Sequence, residues 1–218
     1  MRIDRIGIKG SNDNDFVMLD DVYKLYPVWR TLSAAPERKN LVSIPGINGA
    51  LDCTEEFGEV FYDMRTLNMD CVYVGSDWHS DYSRFSSRYH AKSVQIMFAN
   101  DPAWYWTGRL SISGFDAKAH KLTMTATVFP YKFSRHETVV MSDGNETVTL
   151  RNGRMTVTPT VKISGPVTLA WGNYTKSLSA STYPVTLIVA GLQLPEGDTA
   201  VTITGAYSVE FHYREGAL

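Results

Sequence analysis

Apolar and polar residues alternate along most of this chain. The alternation has the two-residue period of strands rather than the 3.6-residue period of helices. Leu67, Met69, Cys71 and Tyr73 are separated by polar positions that include Asn68 and Asp70. Leu122, Met124, Ala126 and Val128 are set against Lys121, Thr123, Thr125 and Thr127. Each run predicts a strand with one buried and one wet face. Val94, Ile96 and Phe98 predict another. Trp104, Trp106 and Leu110 share one face of the next, which leaves Tyr105 on the other face, exposed. A first strand is expected over Ile3 to Ile8, followed by the polar turn Ser11 to Asn14, with Phe16 to Trp29 pairing back onto it. Ala35 to Lys39 reads as an exposed loop, and Val60 to Val74 as a strand-like run with Arg65 near its middle.

One segment departs from this pattern. Trp78, Tyr82, Phe85 and Tyr89 fall at i, i+4, i+7 and i+11, which predicts a helix with an aromatic stripe packed onto a sheet. Ser76 is the expected N-cap, with Asp77 and Asp81 in the first turn and Arg84 and Arg88 toward the electronegative C-terminal end.

Beyond about residue 133 the strands become shorter, Thr-rich and closely punctuated. Thr147 to Leu150, Asn152-Gly153 and Met155 to Val157 read as a hairpin, because Asn-Gly supplies the positive φ values of a type I′ turn. Val167 to Trp171 and Tyr174 to Leu178, around Gly172-Asn173, read as a second. Tyr183 to Val189, Ala200 to Ile203 and Val209 to Tyr213 supply further strands. This density of turns suggests a small β-sandwich or jelly roll. The chain is therefore expected to be mainly β, with an N-terminal domain over residues 1–133 and a C-terminal one over 134–218.

Composition narrows the classes. At 218 residues the chain is comfortable for two small domains and needs no staples. A net charge of −2 and no basic run argue against specific nucleic-acid or anionic-lipid binding. Met1-Arg2-Ile3-Asp4-Arg5 has no apolar core of a signal peptide, and no stretch approaches a membrane span, so folding in the cytoplasm of the producing cell is expected. Cys53 and Cys71 form neither a disulfide framework nor a zinc motif, and both are expected free.

Candidate chemistry is sparse. The five histidines form no metal-binding pair. Asp52, Glu55, Glu56 and Glu59 cluster locally, which suits turn capping and a solvated surface better than a glycosidase pair. No hydrolase, P-loop or dinucleotide fingerprint is present. Neither a metal nor a cofactor is expected. Trp171, Tyr174 and Tyr183 are the candidate sugar-stacking residues, although Trp171 and Tyr174 flank a hairpin turn, where aromatic pairing stabilises the hairpin itself.

The densest local text is Ile44 to Thr54, with turn signals at Pro45-Gly46 and Asn48-Gly49. Pro45, Gly46, Gly49, Leu51, Asp52 and Thr54, followed by Arg65, resemble the N-terminal motif of the distal tail protein (Dit) family of long-tailed bacteriophages. The likeness continues through the Asp77 to Tyr89 helix, Asp101-Pro102, Trp104-Tyr105-Trp106, Gly108-Arg109, Pro130-Tyr131-Lys132-Phe133 and the closing Tyr213-Arg214-Glu215-Gly216. Cys53 departs from it, at a position where an aliphatic residue is common.

The resemblance implies an N-terminal β-sandwich or barrel-like ring domain with one α-helix and a β-hairpin, and a small galectin-like C-terminal β-sandwich. It implies a structural protein and not an enzyme: a hexameric hub at the distal end of the tail tube. Such a hub joins the tube protein to tail-tip or baseplate proteins and leaves a central channel for DNA. The virion is the implied location, at the tail tip, with assembly in the bacterial host cytoplasm. The alternative is a carbohydrate-binding module that contacts the host cell wall.

Overall fold

The computed structural model describes residues 5–56 and 58–218. The expected strand over Ile3 to Ile8 thus lies partly outside the described residues, and its described part begins at Ile6. The chain divides into two compact units, Met1–Pro130 and Tyr131–Leu218.

The N-terminal unit contains β1 (Ile6–Gly10), β2 (Val17–Met18), α1 (Leu19–Tyr23), β3 (Leu25–Leu32), β4 (Leu41–Val42), β5 (Leu51–Asp52), β6 (Arg65–Tyr73), α2 (Trp78–Tyr89), β7 (Ser93–Phe98), β8 (Trp104–Asp116) and β9 (Lys121–Val128). Seven of the strands form one antiparallel sheet in the order β2-β1-β7-β8-β9-β6-β3. The predicted alternation sets its two faces. Leu67, Met69, Cys71 and Tyr73 are buried beside Leu122, Met124, Ala126 and Val128, in the cluster that also holds Ile6, Ile8, Val94, Ile96 and Leu110. On the other face Thr123 donates to Asp70 at 2.9 Å and Thr125 to Asn68 at 3.0 Å, a polar ladder directly across the β6–β9 register.

Helix α2 covers the core face. Phe85 and Tyr89 are fully buried against Tyr23 of α1, and Trp78 and Tyr82 pack around Phe115. Its N-cap is Asp77 rather than Ser76: the Asp77 carboxylate accepts the Ser80 N–H at 3.1 Å. The short α1, placed within the segment expected only to pair back, closes on Lys24 in the left-handed region. Tyr105 is buried rather than exposed, because the Phe16 segment folds over that face and sets Phe16 6.1 Å from the Tyr105 ring.

The C-terminal unit contains β10 (Lys132–Ser134), β11 (Thr138–Ser142), β12 (Thr147–Asn152), β13 (Thr160–Ile163), β14 (Val167–Trp171), β15 (Tyr174–Leu178), β16 (Val185–Ile188), β17 (Gly197–Thr204), β18 (Val209–Tyr213) and β19 (Gly216–Ala217). Two four-stranded sheets, β11-β18-β13-β16 and β12-β17-β14-β15, face one another. Their inner residues, among them Leu150, Val161, Leu169, Val201 and Phe211, share one core. The predicted hairpin at Gly172-Asn173 is present, with Trp171 opposite Tyr174.

The predicted hairpin at Asn152-Gly153 is not. Strand β12 pairs along its whole length with β17, and Val157 bridges instead to Leu194. Neither Asn152 nor Gly153 adopts the positive φ that a type I′ turn needs. The Asn152 amide is buried and donates to the Met155 carbonyl at 2.7 Å and the Leu194 carbonyl at 2.6 Å, so it is a bracket rather than a turn.

Candidate assembly surfaces

The turn-rich text at Ile44 to Thr54 is the end of an arm. Residues 33–56 and 58–64 leave the sheet between β3 and β6 and return as a two-limbed projection. At its base Ser33 and Thr66 exchange two hydrogen bonds of 2.9 Å, and Arg65 Nε donates to the Ser33 carbonyl at 2.8 Å. Further out, Arg38 N–H donates to the Phe61 carbonyl and Asp63 N–H to the Pro36 carbonyl, each at 2.8 Å. Next come the β4–β5 rungs, Leu41 opposite Asp52 and Val42 opposite Leu51. The tip turns through Gly46 at φ 87° and Gly49 at φ 89°, values a Cβ would oppose. Thr54 donates to Asp52 through its N–H at 3.0 Å, and its bonds hold that carboxyl below the usual range.

Among its described residues the arm has no core of its own. Leu41, Val42, Ile44, Ile47, Leu51, Phe61 and Met64 are all exposed, Ile47 at 64% and Leu51 at 56%. A two-stranded hairpin alone is marginal in water. Exposed apolar side chains concentrated on one segment mark an interaction surface.

A second feature lies where β1 ends. The turn Gly10 to Asp13, the C-terminal half of α2 and the start of β7 enclose an open groove of about 500 Å³ lined by Arg84, Arg88 and Lys92. Asp13 braces it. One Asp13 oxygen accepts the Gly10 N–H at 2.8 Å and the Tyr89 hydroxyl at 2.9 Å, and the other receives Arg88. Burial pushes the Asp13 carboxyl up, but the bonds from Arg88, Gly10 and Tyr89 outweigh it and hold it below its usual range. Burial, and then the bond to Asp13, push the Tyr89 hydroxyl well up. Arg84 pairs with Asp81 at 2.8 Å and donates to the Val22 carbonyl. The sequence marks this turn only as polar and Tyr89 only as core. That Asp13, 76 positions away, meets Tyr89 is a product of the fold; the signal in the sequence was an Asp three residues past the strand's closing glycine.

The arginines of the predicted motifs have structural work. The Arg65 guanidinium lies 4.9 Å over the Trp106 ring, and Arg109 donates to the Ala91 carbonyl. Gly108 is required by close approach: a Cβ there would stand 2.1 Å from the Thr127 carbonyl oxygen of β9.

In the C-terminal unit the three sugar-stacking candidates diverge. Trp171 is buried and its Nε1 donates to the Gly191 carbonyl at 3.2 Å. Tyr174 is exposed and stacks on Trp171 with ring centroids 5.9 Å apart. Tyr183 is half-buried, its hydroxyl accepting the Ala180 N–H at 2.9 Å. The structure thus joins Trp171 to Tyr174 and gives Tyr183 a packing role. Both cysteines are free, and burial pushes the Cys71 thiol up to about 12. Among the described residues no cluster of His, Cys, Asp and Glu has the geometry of a metal site, and no helix is long and apolar enough to cross a membrane.

The architecture is thus two β-rich units, the first a helix-covered sheet with a projecting arm. No family model matches the chain and no curated protein does. Among solved structures the chain is similar to the crystal structure of the SPP1 Dit (gp 19.1) protein, a paradigm of hub adsorption apparatus in Gram-positive infecting phages. The TM-score is 0.67 at 15% identity, over 98% of this chain and 99% of that one. At that identity the likeness is one of fold, and it takes in nearly the whole chain.

Proposed function

We propose that this chain is a structural protein of a phage tail, a ring-forming hub at the distal end of the tail tube. In this reading six copies close a ring that joins the tube protein to tail-tip or baseplate proteins and leaves a channel for DNA. No catalytic step belongs to it. The fold shared with SPP1 Dit supports the class. The observation that carries the assembly is the arm, whose Leu41, Ile47 and Leu51 side chains are each more than half exposed. A closed ring is built from head-to-tail contacts between two different surfaces. A projecting apolar hairpin supplies one of them.

The test is the mass of the purified protein by light scattering, beside that of an Ile47→Asp/Leu51→Asp variant. Both positions are exposed, so the variant is expected to fold with unchanged circular dichroism and to lose the oligomer. An oligomer equally stable in the variant would remove the arm from the assembly.

One observation favours a second role, contact of the C-terminal unit with cell-wall carbohydrate: the Tyr174 ring is exposed and held flat by Trp171. Aromatic faces of this kind stack on sugars. Tyr174→Ala, which leaves the buried Trp171 in place, is expected to lower retention on host cell-wall polysaccharide by about fivefold, since an aromatic contact is typically worth about 1 kcal/mol. Unchanged retention, or none by the parent protein, excludes this role.

A further inference from the structure

We propose that the groove beneath the C-terminal half of α2 receives the acidic return limb of the arm from a second copy of this chain. The inference rests on the ring reading above and names the contact that would close it. Its first support is charge. Residues 33–64 carry six carboxylates against two cations, and Asp52, Glu55 and Glu56 are exposed together where the return limb bends away from β5. Residues 82–92, by contrast, carry Arg84, Arg88 and Lys92 and no carboxylate. Lys9 adds a fourth cation through a smaller hollow that shares Gly10, Ser11 and Ser93 with the groove. Asp13 is committed to Arg88 and Asp81 to Arg84, so Lys9 and Lys92 are left with no carboxylate partner among the described contacts.

The second support is placement. Arg65, at the root of the arm, lies opposite Val128, which lies opposite Gly108, then Val94, then Gly10 at the mouth of the groove. Root and groove therefore share one end of the sheet and stand four strand spacings apart, about 19 Å. Among the described residues none that lines the groove comes from the arm of the same chain. An acidic projection on one flank and a basic recess on the other are the two unlike surfaces of a head-to-tail contact. Opposite charge would set its register and speed encounter.

Charge reversal and its rescue test this. Glu55→Lys/Glu56→Lys changes the arm and Lys9→Glu/Lys92→Glu changes the groove, in each case away from Asp13 and the core. Sedimentation velocity would follow self-association of each protein at low and at high sodium chloride, with circular dichroism to check the fold. Each one-sided reversal is expected to weaken association about tenfold at low salt, and the combined protein to recover most of that loss. A ring that forms while the reversals have no effect, or while the combined protein shows no recovery, overturns this contact and leaves the ring reading intact. A parent protein that stays monomeric at all concentrations removes both.

Discussion

Asp13 accepts hydrogen bonds from Gly10, Arg88 and Tyr89, and its carboxylate is almost wholly buried. Asp13→Ala would leave the Tyr89 hydroxyl and the Gly10 N–H unpaired beneath α2. The expected cost is roughly 2–4 kcal/mol, read as a lower melting temperature of the N-terminal unit. The pH dependence follows from the depressed carboxyl. An acid whose folded pKa lies below its unfolded value near ~3.9 stabilises the fold above that value. The contribution disappears as the pH falls through the lower folded pKa. The gap between parent and variant should therefore be widest at neutral pH and narrow in strong acid by the part that the charge supplies; a difference constant down to pH ~2 would mean that the charge on Asp13 contributes nothing. Little of this was legible in the sequence. A polar turn and an aromatic stripe can each be read locally, whereas their meeting depends on α2 lying across the end of β1. Tyr105 failed in the same way, since alternation assigns a face but does not say what covers it.

Among the elements, the long strands and α2 were legible because one face of each is dry, and dryness writes a period into the residues. The arm was legible only as turn chemistry. With both faces exposed, β4 and β5 carry no alternation, and their paired length is two residues each. Asn152-Gly153 misled for a related reason: a local turn preference was overridden by six-residue pairing of β12 with β17 and by the buried bonds of the Asn152 amide. Close packing of neighbouring strands gives a sharper test. Gly108→Ala would force a methyl group into the β9 backbone and is expected to destabilise by roughly 3 kcal/mol. Gly114→Ala, on the same strand with open space around it, should stay within about 0.5 kcal/mol. Equal melting temperatures for the two variants would contradict the close approach of β8 to β9.

For the molecule as a whole, fold and sequence carry different amounts of information. A fold shared over nearly the full length of SPP1 Dit persists at 15% identity. A sheet needs only dry faces and bends in the right places, and many sequences meet those conditions. What a shared fold leaves open is assembly. Its most direct test is the mass of the purified protein across a wide concentration range, by light scattering after gel filtration, with negative-stain images of the heaviest species. The expected result is a hexamer with an annular image and an open centre. A strict monomer at the highest concentration, or an oligomer with no central opening, would contradict it.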